Sequence, residues 1–145
     1  MNITVGEVVL QNKPLSNIEL IHAAKQLKIP NFRGVFLRDT LPKTLKRNEC
    51  GILNLDDSSG NGTHWVAWHR RAESSPTKKG TKKYYFDSFG LQPPLEMIKY
   101  LGSEILYNTE EIQPKDQVFC GHLCLYVLKE VSKGIGLQRI INDLY

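Results

Sequence analysis

Short apolar runs bounded by turn residues fill the middle of this chain, and helical spacing of apolar positions governs the stretches on either side. Residues 1–14 follow neither period and end at Pro14, which predicts an irregular, loosely docked arm. Ser16 or Asn17 can cap a first helix running to about Lys28, with Ile18, Ile21 and Leu27 as its apolar stripe and Pro30 as its stop. Phe32–Leu37 is predicted as an edge strand, and the basic, Pro42-containing stretch 38–48 as a connecting loop. Cys50–Leu55 and Thr63–His69 read as partner strands across a dense turn signal at 56–62. A polar loop at 70–81 leads to an aromatic strand, Lys82–Asp87. Pro93 and Pro94 suit the first turn of a helix to about Leu101, and Glu104–Tyr107 follows as a short strand. Cys120–Lys133 is the most apolar helix, with Cys120, Leu123, Cys124, Val127, Leu128 and Val131 on one face. A last helix spans Leu137–Leu144 after two glycines. No repeat or low-complexity tract interrupts this order, and the mixture predicts an α+β fold.

At 145 residues the expectation is a single domain, 1–145, large enough to bury a core. Three cysteines, Cys50, Cys120 and Cys124, do not make a disulfide scaffold and point to a reducing, intracellular compartment. The first residues lack the basic and apolar regions of a signal peptide, and no apolar run is long enough to cross a bilayer, so no membrane partner is expected. The net charge of +4 permits attraction to nucleic acid without demonstrating it.

Four polar residues stand in settings that suit chemistry. Cys120 opens an apolar helix, where the positive end of the helix dipole favours thiolate, and Gly121 beside it leaves room for a substrate carbonyl. Taken alone, Cys120 reads rather as a small buried core residue; Cys124, one turn deeper, is assigned to the core. His64 follows a Gly-rich turn and begins a strand, a common mount for a general base, and Trp65 next to it can shield the imidazole. Asp87 ends the aromatic strand, and a histidine N–H would be a suitable partner for it. Gln113 or Gln117 can donate to an oxyanion, and residue chemistry alone does not choose between them. His22 and His69 are less well placed, and His122 lies about 200° around the helix from Cys120, where a surface role is open. A base, its orienter, an oxyanion donor and a nucleophile together are the complement of a cysteine hydrolase.

In ECGILNL…GNGTHWVAW, YYFDSFG and QPKDQVFCG the chain resembles the adenain-like cysteine proteases of adenoviruses, members of the clan that includes the SUMO-deconjugating Ulp proteases. The similarity runs over roughly residues 16–133. The resemblance implies a mixed central β-sheet flanked by helices, with His64 as base and acid, Asp87 as its orienter, Cys120 as nucleophile and Trp65 beside the imidazole. The adenoviral branch places its glutamine seven residues before the cysteine, which selects Gln113 as oxyanion donor. The implied reaction is peptide hydrolysis through a thioester at glycine-rich sites, with no cofactor. Implied substrates are capsid or core precursor proteins of a virus or virus-like mobile element, acted on by a monomer in the virion, host nucleus or cytoplasm.

The chain departs from that pattern in being shorter, in offering no cysteine between Cys50 and Cys120 to tether an activating peptide, and in a long lysine-rich loop at 70–83. Arg70, Arg71, Lys78, Lys79, Lys82 and Lys83 flank that predicted hairpin; they make a solvated loop or a nucleic-acid contact, with DNA as an activator. Two further readings compete: a ubiquitin-like-protein deconjugase, and a non-catalytic binding module on the same fold. A zinc site is not expected, because the x₁ spacings of Cys120, His122 and Cys124 scatter their side chains around a helix.

Overall fold

The computed structural model describes residues 2–56, 64–72, 80–112 and 119–144. Its centre is a five-stranded mixed sheet built from β3 (Phe32–Leu37), β4 (Glu49–Asn54), β5 (Trp65–Ala72), β6 (Thr81–Phe86) and β7 (Leu106–Tyr107), in that spatial order. β4, β5 and β6 pair antiparallel, while β3 joins β4 and β7 joins β6 in parallel. The architecture is the expected α+β arrangement.

β4 is buried along its whole length, and five of its residues face a partner in β5 that is also buried. Side chains alternate across the sheet. Trp65 and Ala67 face a larger core shared with helices α1 (Asn17–Gln26), α3 (Cys120–Ser132) and α4 (Leu137–Leu144). Val66 and Trp68 face a smaller core closed by Met97 and Leu101 of α2 (Leu95–Leu101). The sheet is therefore sandwiched, with α3 packed along β5 on the larger side. Gly51 lies opposite Trp68 in the ladder, and a Cβ there would come 2.4 Å from the indole ring, so only glycine fits.

Ser16 caps α1 through a reciprocal capping box with Glu19. The buried face of α1 is Leu20, Ala23 and Ala24, continued by Leu27, whereas Ile18 is 73% exposed and Ile21 also faces solvent. The expected Ile18–Ile21 stripe is thus corrected. Small alanines let α1 approach the core closely, and the larger isoleucines are left outside.

The expected irregular arm is instead a hairpin, β1 (Asn2–Val5) with β2 (Val8–Gln11). Gly6 takes φ +56° at the first loop position, the conformational demand of a two-residue hairpin turn. Val5 and Val8 are buried, and His122 of α3 hydrogen-bonds the Gln11 carbonyl through Nε2 at 2.8 Å. His122 is therefore an interior anchor for the hairpin rather than a surface residue.

A buried polar knot ties β3, β4, β5 and α2 together around Glu49. Its Oε1 accepts from Arg33 Nη1 at 2.8 Å and the Lys46 N–H at 2.7 Å. Its Oε2 accepts from Trp68 Nε1 at 2.9 Å and Tyr100 Oη at 2.6 Å. Four donors satisfy a carboxylate that burial alone would penalise. Among the described residues, no helix is long and apolar enough to cross a membrane.

Candidate active site

Three elements converge at one edge of the larger core. β5 begins immediately after His64, β6 ends immediately before Asp87, and α3 begins at Cys120. All three side chains are held within the protein: His64 is 7% exposed, Cys120 8% and Asp87 0%.

The segment Asp87–Gly90 is a tight turn, with the Gly90 N–H bonded to the Asp87 carbonyl at 2.8 Å. Gly90 has φ +74°, and a Cβ would lie 2.6 Å from the Thr109 carbonyl oxygen, so the Phe-Gly step is required by the backbone. This turn aims two groups at His64. Asp87 Oδ1 accepts from His64 Nε2 at 2.7 Å and also from the Phe89 N–H at 2.8 Å. The Phe89 ring stacks flat on the imidazole, with centroids 4.0 Å apart. Asn108, buried just beyond β7, clamps the backbone beneath: its Oδ1 accepts from the Asp87 N–H, and its Nδ2 donates to the Asp87 carbonyl at 2.6 Å.

With Nε2 committed to Asp87, Nδ1 is the ring nitrogen left for Cys120. The two side chains shift one another's ionisation through hydrogen bonding and charge, although Nδ1 makes no bond of strict geometry. Such contacts are commonly loose before substrate binds. Burial is the largest influence on His64 and disfavours its charge, but the bonds and charges of Asp87 and Cys120 together outweigh it and raise the pKa to about 9. Burial likewise opposes a thiolate at Cys120. The His64 ring and the backbone N–H groups of Trp65 and Gly121 prevail over it and hold the thiol below its ordinary value. The α3 N-cap, Phe119, offers no side-chain hydrogen bond, and the first turn has no acidic residue, so the positive end of the helix dipole adds to what favours the thiolate. The pair is disposed to exist as thiolate and imidazolium.

The other two thiols differ sharply. Burial, and then the charge of Glu49, push Cys50 up to about 12. Burial drives Cys124 well above the ordinary range. All three cysteines are free, and Cys124 belongs to the core as expected.

Trp65 is placed differently from the expected shield. Its indole N–H donates to the Leu15 carbonyl at 2.9 Å, and its ring packs in the core against the bare face of Gly121. A Cβ on Gly121 would sit 3.1 Å from Leu20 and 3.3 Å from Trp65, so the missing side chain serves close packing of the α3 terminus. The aromatic ring against the imidazole is Phe89. Neither Phe89 nor Asn108 was singled out by sequence reasoning; the Phe-Gly step after Asp87 carries a signal for the first, and nothing marks the second. Gln113 and Gln117, the two oxyanion candidates, lie outside the described residues.

With this geometry in view, the chain is similar in structure to the ASFV pS273R protease, with a TM-score of 0.63 at 16% identity over 90% of this chain and 61% of that one. The selenomethionine form of the same protease gives 0.64 at 17% identity, over 90% and 62% of the respective chains. The fold is that of the Ulp-like cysteine proteases. No family model matches the sequence, and no curated protein does. The chain spans a little over three fifths of the length of the protease it matches.

Of the basic residues expected to flank a loop, Lys78 and Lys79 lie outside the described residues. Arg70 and Lys83 are paired across β5 and β6 and spend their charges on backbone carbonyls, Arg70 on Lys46 and Arg47, Lys83 on Ser103. Arg71 and Lys82, the next pair, are exposed on the opposite face. Among the described residues, no group of three or more His, Cys, Asp or Glu could hold a metal ion.

Proposed function

We propose that this chain is a cysteine endopeptidase of the adenain-like branch, acting on protein precursors at glycine-rich sites. The observation that carries the reading is the coupled set at the meeting of β5, β6 and α3: a thiol held below its ordinary pKa beside an imidazole raised to about 9 and bonded to a buried carboxylate. A structural cysteine has no need of such a partner, and Cys50 and Cys124 have none.

The residues divide the chemistry as follows. The Cys120 thiolate attacks the scissile carbonyl carbon, and the carbonyl electrons move onto oxygen. His64, as imidazolium, donates its Nδ1 proton to the departing amine as the tetrahedral adduct collapses to a thioester. Neutral His64 then takes a proton from water, which attacks the thioester and releases Cys120. Asp87 holds the imidazole in the tautomer that presents Nδ1 to the sulfur and stabilises the cation. Gln113 is the proposed oxyanion donor. The likeness to a viral protease supports processing of viral structural precursors over deconjugation of a ubiquitin-like protein.

The test is a pair of activity-based probes, vinyl sulfones carrying Gly-Gly and Gly-Ala peptides, and a panel of full-length ubiquitin-like conjugates. The reading requires a mass-shifted adduct on Cys120, lost in Cys120→Ala and His64→Ala, together with cleavage of unstructured Gly-rich peptides. Absence of any adduct on folded protein sinks the peptidase proposal. Cleavage of conjugates without cleavage of peptides transfers the chain to the deconjugases.

A further inference from the structure

The far end of β5 holds a second polar feature that the proposed chemistry leaves unused. Arg71 stands directly opposite Lys82 in the β5–β6 ladder, and like charges in that relation repel. No carboxylate among the described residues pairs with either of them. Beside them is a hollow of about 210 Å³, lined by His69, Arg71, Lys82 and Tyr84 from the sheet, by Val131 of α3, and by Gly134 and Ile135 just beyond that helix. Among the described residues, no acidic one lines it.

His69 adds an independent observation. It is only 9% exposed, and its Nδ1 is buried without a hydrogen-bond partner, a costly condition unless something completes it. Burial, reinforced by the charge of Arg71, holds the ring down to about 4, so it is neutral at about pH 7. The hollow is concave and enclosed by α3 on one side, which suits a compact ligand over the convex backbone of a duplex.

We infer that His69, Arg71 and Lys82 form a binding site for a small phosphate-class oxyanion, such as phosphate or pyrophosphate. The anion would separate the two facing cations and accept charge-assisted hydrogen bonds from both. The site is remote from Cys120: Arg71 lies seven positions along extended chain from His64, roughly 23 Å at the usual rise. It therefore does not depend on the proposed peptidase activity.

Calorimetric titration of the full chain with pyrophosphate, and separately with inorganic phosphate, tests this. Saturable binding is expected, weakened at least roughly tenfold in Arg71→Gln/Lys82→Gln and unaltered in Lys43→Gln. The His69 ring resonance should move on addition of pyrophosphate while that of His22 stays. If the double variant does not fold, Lys82→Gln alone, an exposed position, should weaken binding by at least roughly threefold. No saturable binding, or undiminished affinity in the folded variants, overturns the site. So does a DNA duplex that binds through these residues and is not displaced by pyrophosphate, which would make the patch a nucleic-acid contact.

Discussion

The Phe89 ring lies parallel to the His64 imidazole, 4.0 Å away and inclined by only 4°. The stack fixes the plane of the imidazole while Asp87 fixes its rotation within that plane. An aromatic face also favours a cation above it. Phe89→Leu keeps the apolar volume and removes both effects. With a stack worth about 1 kcal/mol, kcat/KM for a Gly-Gly peptide should fall roughly three- to tenfold. Because the cation loses support, the alkaline limb of the pH–rate profile should move to lower pH. An unchanged profile with a reduced rate would mean that Phe89 acts only by packing.

The three thiols provide a test that needs no substrate. Cys120 is held below its ordinary pKa, whereas Cys50 is pushed up to about 12 and Cys124 well above the ordinary range. Brief iodoacetamide treatment of folded protein at neutral pH should modify Cys120 alone, as read by peptide mapping. His64→Ala removes the counter-charge, and labelling at neutral pH should slow roughly 10–100-fold. Turnover requires the imidazolium as well. It should rise as pH passes upward through the lowered thiol value and fall as pH passes about 9, where His64 loses its proton. These limbs belong to the coupled pair rather than to either residue. The linkage to stability has the matching sign. The raised His64 pKa stabilises the fold fully below its ordinary 6.5, and that contribution disappears as pH climbs through about 9.

Glu49 should control stability without touching the chemistry. Burial acts to raise its pKa, but bonds from Tyr100, Lys46, Trp68 and Arg33 overcome this and lower it below the ordinary 4.5. A depressed carboxylate stabilises the fold above its unfolded pKa and ceases to do so as pH falls through the folded value. Glu49→Ala strands the Arg33 cation and three further donors, Trp68, Tyr100 and the Lys46 N–H, at a cost of roughly 3–5 kcal/mol. Urea melts across an acid series should show wild type losing stability below about pH 4.5. The variant should be weaker at neutral pH and flatter across the acid range. If both lose stability in parallel, the knot is not the acid-sensitive element.

Much of this architecture was legible because it rests on local signals. Turn residues bracket β4, β5 and β6, and the observed strands begin and end within a few residues of the expected ones. The final helix, Leu137–Leu144, was legible in full from its flanking glycines and apolar spacing. What escaped depends on partners distant in sequence. Residues 2–11 looked irregular because two four-residue strands mean little until α3 supplies a surface for Val5 and Val8. The Val-Gly-Glu-Val turn was nonetheless a local hairpin cue. Ile18 and Ile21 misled because hydrophobicity marked the stripe of α1, while the close approach to the core selected its alanines. Glu49 and Asn108 are ordinary polar residues in sequence, and their burial follows from donors and acceptors up to 51 positions away. His64, Asp87 and Cys120 were visible for the opposite reason, since each stands at an element boundary where its residue type is otherwise unneeded.

Asn108 is the clearest test of how the carboxylate is held. Its side chain bonds both backbone groups of Asp87, at 3.1 and 2.6 Å, and reaches the Glu110 carbonyl as well. Removing it leaves the buried Asp87 N–H without an acceptor, a loss of about 1–3 kcal/mol in stability. If the clamp also sets the aim of Asp87, the damage should extend to catalysis. Asn108→Ala should lower kcat roughly tenfold or more with KM nearly unchanged, since a misdirected imidazole affects the transition state and not peptide binding. Asn108→Asp restores the acceptor for the Asp87 N–H but turns a carboxylate oxygen toward the Asp87 carbonyl. It should recover neither stability nor rate. Recovery in the aspartate variant would show that the N–H bond alone sets the geometry, and a loss of stability without any change in kcat would confine Asn108 to a structural part.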